Sequence, residues 1–140
     1  MKKQISLALA VIAGFFMVSC NEDDEPKFEK IDPMAGEWQL EKVGTILSGA
    51  VYYTAVENCA STLSFEGDTF IEVDSELVDE VCQSQTFGGS YAIENGNLVR
   101  TYDDATQHTD DIITLSDVQL ELVHSDPETN ALTFYRYRRM

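Results

Sequence analysis

Tyr91-Ala92-Ile93-Glu94-Asn95-Gly96-Asn97-Leu98-Val99-Arg100 reads as two short strands joined by a two-residue turn. Both central residues of a type I′ turn need positive φ, and Asn-Gly meets that need with the twist that a hairpin requires. The same grammar extends outward in both directions. Glu66-Gly67-Asp68 separates Leu63-Ser64-Phe65 from Thr69-Phe70-Ile71-Glu72-Val73, and Ser116-Asp117 separates Ile112–Leu115 from Val118–Val123. Asp126-Pro127-Glu128-Thr129-Asn130 then precedes a last run, Ala131–Arg138. Apolar and polar residues alternate along these runs, as in Val118, Leu120 and Leu122 against Gln119 and Glu121, or Trp38 and Leu40 against Gln39 and Glu41. Period two with no sustained i, i+3, i+4 pattern means strands, each with one face toward a core.

Strands are expected near 37–43, 51–57, 61–66, 69–78, 87–94, 97–103, 110–115, 118–124 and 131–138. Consecutive hairpins make an all-β, antiparallel up-and-down meander. Closing it into an eight-stranded barrel removes the exposed edges that an open sheet would leave. A two-sheet sandwich fits the same spacing and ranks second because of the hairpin order. The inward face of the last strand is left open between Leu132 and Phe134 on one side and Thr133 and Tyr135 on the other.

Upstream of the strands the chain changes character. Lys2-Lys3, the apolar run Ile5–Val18 and then Ser19-Cys20 resemble a bacterial lipoprotein signal peptide, with Met17 where the lipobox favours Leu. Ile5–Val18 spans 14 residues, whereas a helix needs about 20 to cross the hydrocarbon core, which argues against a transmembrane anchor. The resemblance implies removal of residues 1–19 and a lipid-modified Cys20 carrying diacylglyceryl and palmitate-type chains. Asn21-Glu22-Asp23-Asp24-Glu25-Pro26 is too charged to bury anything and reads as a solvated tether over residues 20–33. It also resembles the acidic export signal of some Gram-negative surface lipoproteins. Asn21 is not the Asp that retains lipoproteins at the inner membrane in some bacteria. The expected location is the outer membrane, facing the cell surface, with a periplasm-facing orientation as the alternative. Residues 34–140 form the one remaining domain, long enough for its own core.

The whole chain carries a formal net charge of −16. Without Lys2 and Lys3 it keeps 7 basic against 25 acidic residues, a net −18. Such a surface repels nucleic acid and anionic headgroups, which leaves the lipid anchor as the route to a membrane. Self-repulsion at this charge also favours a monomer.

Gly36-Glu37-Trp38 at the start of the first strand resembles the Gly-x-Trp signature of lipocalins, and the arginine-rich end, with Arg136, Arg138 and Arg139, resembles their closing strand. In that family an arginine from the end of the barrel stacks on the tryptophan, a role carried here onto Arg138. The chain is similar to the lipocalin-like domains of bacterial lipoproteins in the order of its motifs. After Gly36 and Trp38 come Cys59, Leu63 and Phe65, Cys82, Gly89 with Tyr91 and Ile93, Leu120 and Leu122, and Tyr135 and Tyr137. The longer motifs of animal lipocalins are not evident, so their ligand classes are not carried over.

With Cys20 lipidated, Cys59 and Cys82 remain as an even pair in an oxidising compartment, and a disulfide is expected. It would contribute roughly 3 kcal/mol in the chain-entropy model, tying the start of the third strand to the acidic segment 74–80. A redox or metal pair would want a Cys-x-x-Cys or a helix end, neither of which is present. Gly88-Gly89 reads as a bulge or bend at a strand start.

The residues give no support to an enzyme. His108 and His124 stand in no nucleophile or zinc motif and read as surface or loop residues, and Ser125 points away from its neighbour His124. No glycine-rich phosphate loop is present, and no cofactor is expected. Asp103-Asp104 with Asp110-Asp111, or Asp74 and Glu76 with Asp79 and Glu80, offer hard oxygens for Ca²⁺, but they lack an EF-hand pattern. In so acidic a chain they read as surface charge, and no metal site is expected.

Two function classes follow. In one, a hollow barrel lined by Phe65, Tyr91, Leu98, Tyr102, Leu120 and Tyr135 holds a small hydrophobic molecule. In the other, the barrel is filled by its own side chains and serves as a non-catalytic structural module or one that meets a protein or glycan. A third, inhibition of a cationic host protein, rests on charge alone, with salt-dependent binding as its signature.

Overall fold

A computed structural model describes residues 32–140, so the expected signal peptide, the expected lipidation at Cys20 and most of the expected tether lie outside the described residues. Nine strands follow one another: β1 (Gly36–Leu47), β2 (Ala50–Ala55), β3 (Thr62–Glu66), β4 (Thr69–Val78), β5 (Val81–Glu94), β6 (Asn97–Tyr102), β7 (Gln107–Leu115), β8 (Gln119–Ser125) and β9 (Leu132–Arg139). From β3 to β9 each strand pairs antiparallel with the next. β1 closes the ring. Its residues 38–45 pair with β9 and its residues 36–39 with β3. The second half of β1 needs another partner on the β3 side, and β2 fills it from Lys42↔Ala55 to Leu47↔Ala50. The result is an eight-stranded closed barrel, β1 with β3–β9, and one extra strand. Closure leaves no free edge on the ring.

The expected Asn95-Gly96 turn forms with φ of 52° and 81°, joining β5 and β6 through Glu94↔Asn97. Two strands start earlier than the sequence suggested. β5 begins at Val81 rather than 87, because Asp79 and Glu80 adopt φ of 50° and 66° and make a second tight hairpin, Val78↔Val81. β7 begins at Gln107 rather than 110. Cross-strand register fixes which side chains face inward. Leu40 opposes Tyr137 and Val43 opposes Tyr135, with a bulge between Leu40 and Lys42. Thr133, Tyr135 and Tyr137 therefore face the lumen, which decides the face of the last strand.

Gly88 and Gly89 lie inside β5, not at its start. A Cβ on Gly89 would stand 2.0 Å from the Thr101 carbonyl oxygen, so only glycine admits the close approach of β6. The Cys59–Cys82 disulfide forms, with Cα atoms 5.4 Å apart. It ties the loop before β3 to the first turn of β5. Its partner strand is thus β5, which pairs with the acidic stretch of β4, and not that stretch itself.

A candidate ligand cup at the open end of the barrel

One end of the barrel is closed by packing. Trp38, Leu63, Phe70, Leu98, Leu120 and Leu122 are buried against each other, capped by Met34 from below. Trp38 Nε1 donates to the Met34 carbonyl at 2.9 Å. The indole face is covered by Arg139, whose guanidinium carbon lies 4.2 Å from the ring centroid. The same guanidinium donates to three carbonyls, those of Pro33, Ala35 and Asp117. The arginine over Trp38 is therefore Arg139, not Arg138. Arg138 lies on the outer face, and among the described residues its side chain donates to Gln39 alone, at 3.5 Å. Gly36 makes room for this cap: its φ is 121°, and a Cβ there would meet Arg139 Nη1 at 2.7 Å.

Above this floor the lumen turns polar. Inward positions of β4, β6 and β7 bring Glu72, Arg100 and Asp110 together. Arg100 Nη1 donates to Glu72 at 2.8 Å and Nη2 to Asp110 at 2.7 Å. Arg100 and Asp110 are almost fully buried. Burial works against the Arg100 charge, but the Glu72 and Asp110 carboxylates more than offset it and hold its pKa above the usual value. Tyr102 also donates to Glu72, at 2.6 Å. Burial first, and this bond second, push the Tyr102 hydroxyl pKa up, which keeps it a neutral donor. The Arg100 Nε–H has no partner among the described residues. Arg100 borders an inner cavity of about 160 Å³ shared with Asp74, His108, Asp110, Tyr135 and Tyr137.

Toward solvent the lumen opens into a cup of about 520 Å³, within the range of small-molecule sites. Phe87 and Tyr102 give it aromatic walls, packed edge to face at 6.2 Å. Glu72, Asp103 and Asp104 add carboxylates, and Thr86, Thr106, Gln107 and His108 complete the lining.

The six residues expected to line a ligand site divide between these regions. Phe65, Leu98 and Leu120 are buried in the floor and pack on their neighbours. Tyr91 also belongs to the closed end, where its hydroxyl donates to Asp32 and lies 3.0 Å from the Gly67 carbonyl. Only Tyr102 reaches the cup and only Tyr135 the inner cavity. Phe87 and the buried charges were missed, because a strand beginning at 87 does not reveal on which side of the barrel its first residue falls. His108 and His124, expected at the surface, face the lumen instead, their ring nitrogens 2.7 Å apart. Burial lowers the His108 pKa, which favours the neutral ring. The carboxylate groupings weighed for calcium do not converge: Asp110 is buried on Arg100, while Asp111, next along β7, is exposed on the outside.

A family model described as a lipocalin-like domain matches residues 34–122. The chain belongs to this family. No curated protein matches it. Among solved structures, this lipocalin-like chain is similar to an uncharacterised protein from Bacteroides eggerthii DSM 20697, at 16% identity and a TM-score of 0.52, covering 76% of this chain and 99% of that one. It is also similar to the siderocalin Ex-FABP, described as functioning through dual ligand specificities. That match has 13% identity and a TM-score of 0.50, with 77% of this chain and 74% of that one covered. At these identities the likeness is one of fold.

Proposed function

We propose that this lipocalin-like barrel is an outer-membrane lipoprotein that binds a small amphipathic molecule in the cup at its open end. The observation that carries the binding reading is the cup itself, about 520 Å³ of space above a floor already filled by side chains. A barrel of this size leaves room for one small ligand near its mouth. The walls narrow the chemistry. Phe87 and Tyr102 suit an apolar or aromatic body, while Asp103 and Asp104 at the rim disfavour a carboxylate head. Neutral or cationic amphiphiles should therefore be preferred over fatty acids, a refinement of the purely hydrophobic ligand expected from sequence. Anchoring through Cys20, and display on the cell surface rather than toward the periplasm, are supported by the Ser19-Cys20 junction and the acidic run 22–25.

Native mass spectrometry of the chain from Asn21 to Met140, purified without detergent, tests the binding reading. Extra mass that leaves on denaturation, or uptake of a neutral amphiphile in preference to a fatty acid, supports it. A clean protein mass with no uptake of either overturns it and favours a filled interaction module, whose floor is already built. Labelled palmitate that is incorporated into the full-length chain and lost in Cys20→Ala tests the anchor, and retention of label in the variant would refute it.

A further inference from the structure

We propose that His108, Asp110 and His124 form a binding site for one divalent transition-metal ion of the zinc class, on the lumen wall beneath the cup. Three donor atoms converge there. His108 Nε2 lies 2.7 Å from His124 Nδ1, which lies 3.0 Å from Asp110 Oδ1, and the third side, His108 Nε2 to Asp110 Oδ1, is 3.7 Å. Topology explains the meeting. His108 and Asp110 are two apart on β7 and share its inward face, and because β7 and β8 run antiparallel, the pair Asp111↔Val123 places His124 of β8 directly across from Asp110.

Protons alone satisfy this triangle poorly. His124 Nδ1 faces two acceptor-capable atoms and carries one hydrogen at most. If that hydrogen points to Asp110, His108 Nε2 must be bare; if it is absent, Nδ1 and the carboxylate oxygen meet lone pair to lone pair at 3.0 Å. A cation at the centre serves all three lone pairs together. The dimensions also fit. The three distances define a triangle from whose corners a common point about 2 Å away exists slightly out of plane, the usual length of zinc–nitrogen and zinc–oxygen bonds. Small rotations of the two rings would open the 2.7 Å edge toward a tetrahedral angle.

The surroundings are those of a supported site. The other oxygen of Asp110 is held by Arg100 at 2.7 Å, which turns Oδ1 toward the histidines. Glu72 pairs with Arg100 and offsets its charge, and Asp74 borders the same inner cavity. Asp110 is 2% exposed whereas His108 and His124 are 37% and 27% exposed, so an ion can enter from the mouth and keep a position open toward it. Two imidazoles and one carboxylate select borderline ions such as Zn²⁺, Co²⁺ or Ni²⁺ over Ca²⁺. The site does not depend on whether the cup takes an organic ligand.

The test is calorimetric titration of the oxidised chain, residues 21–140, with ZnCl₂ after chelator treatment. That chain contains every strand of the closed barrel. Co²⁺ serves as the spectroscopic probe. One ion per chain is expected, unaffected by excess Ca²⁺, with visible Co²⁺ ligand-field bands. His108→Gln and His124→Gln should each weaken Zn²⁺ by more than about tenfold, the least that loss of even an outer partner costs, and abolish the Co²⁺ bands. Asp79→Asn with Glu80→Gln, exposed in the turn between β4 and β5, should change neither. Should His124→Gln melt abnormally, His108→Gln at the more exposed position decides alone. Absence of saturable Zn²⁺ binding, or binding unchanged in His108→Gln, overturns the proposal and, in the second case, assigns the ion to surface carboxylates.

Discussion

The two ends of this lumen are built from the same strands yet by opposite rules. At the closed end the inward positions of β1, β3, β6 and β8 carry Trp38, Leu63, Leu98 and Leu120, all buried without a charge among them. Two to four residues further along the same strands, or on their neighbours, the inward positions become Glu72, Arg100, Asp110, His108 and His124. Apolar packing there would have been simpler and no less stable, since buried ion pairs seldom outperform hydrophobic replacements. The closed end holds the barrel shut, and the open end retains polar groups at a cost in stability that a purely structural barrel would not need.

The largest effects should come from breaking the floor. Trp38→Ala removes the central side chain of the closed end together with the platform for Arg139, and should lower unfolding free energy by about 3–5 kcal/mol in urea melts. A loss below about 1 kcal/mol would mean that the floor is not the main source of stability.

The buried charges sharpen the contrast. Arg100→Ala strands Glu72 and Asp110 without their shared cation and should cost about 3–5 kcal/mol, as broken buried pairs do. Adding Glu72→Gln and Asp110→Asn to an Arg100→Met background removes all three charges and should recover most of that loss. Failure to recover would show that the network is structural rather than retained for function. Next in size is the cap. Arg139→Ala loses the indole contact and three carbonyl partners, an expected cost of about 2 kcal/mol, while Arg138→Ala on the outer face should stay within about 0.5 kcal/mol. Equal effects of the two variants would contradict the assignment of Arg139.

Legibility in the sequence followed the same division. The floor was readable because alternation in Trp38-Gln39-Leu40 and Leu120-Glu121-Leu122, with Asn95-Gly96 to fix a hairpin, is the pattern that hydrophobic burial writes directly. The cup was not. Asp79-Glu80 turns with positive φ at both residues, a conformation that Asn or Gly would have announced and these acids do not, so the first half of β5 went unseen. His108 then seemed to lie in a loop, because β7 starts three residues earlier than its apolar run suggests. Charged lumen residues look like surface residues in any one-strand reading, and only the closed register shows that β4, β6, β7 and β8 aim them at one another. Arg138 and Arg139 differ by a single step of the pleat, which sequence pattern could not assign.

The smallest stability effect should accompany the clearest functional one. Phe87 opposes Glu72 across β4 and β5, is 41% exposed and meets Tyr102 in a T-shaped contact. Phe87→Ala should therefore cost less than about 1 kcal/mol of stability, since most of a fully buried ring's contribution is missing there. As a wall of the cup, however, the ring should contribute up to about 1.4 kcal/mol to holding an aromatic or apolar body, so a neutral fluorescent amphiphile should bind up to about tenfold more weakly. Phe65→Ala provides the mirror image. Buried at 2% exposure in the floor and edge-on to Tyr91 at 4.8 Å, it should melt early yet, below its transition, bind the same dye nearly as well as the unaltered chain. If instead Phe65→Ala weakens the dye and Phe87→Ala does not, the ligand reaches the floor and the division of the barrel into a packed end and a binding end is wrong.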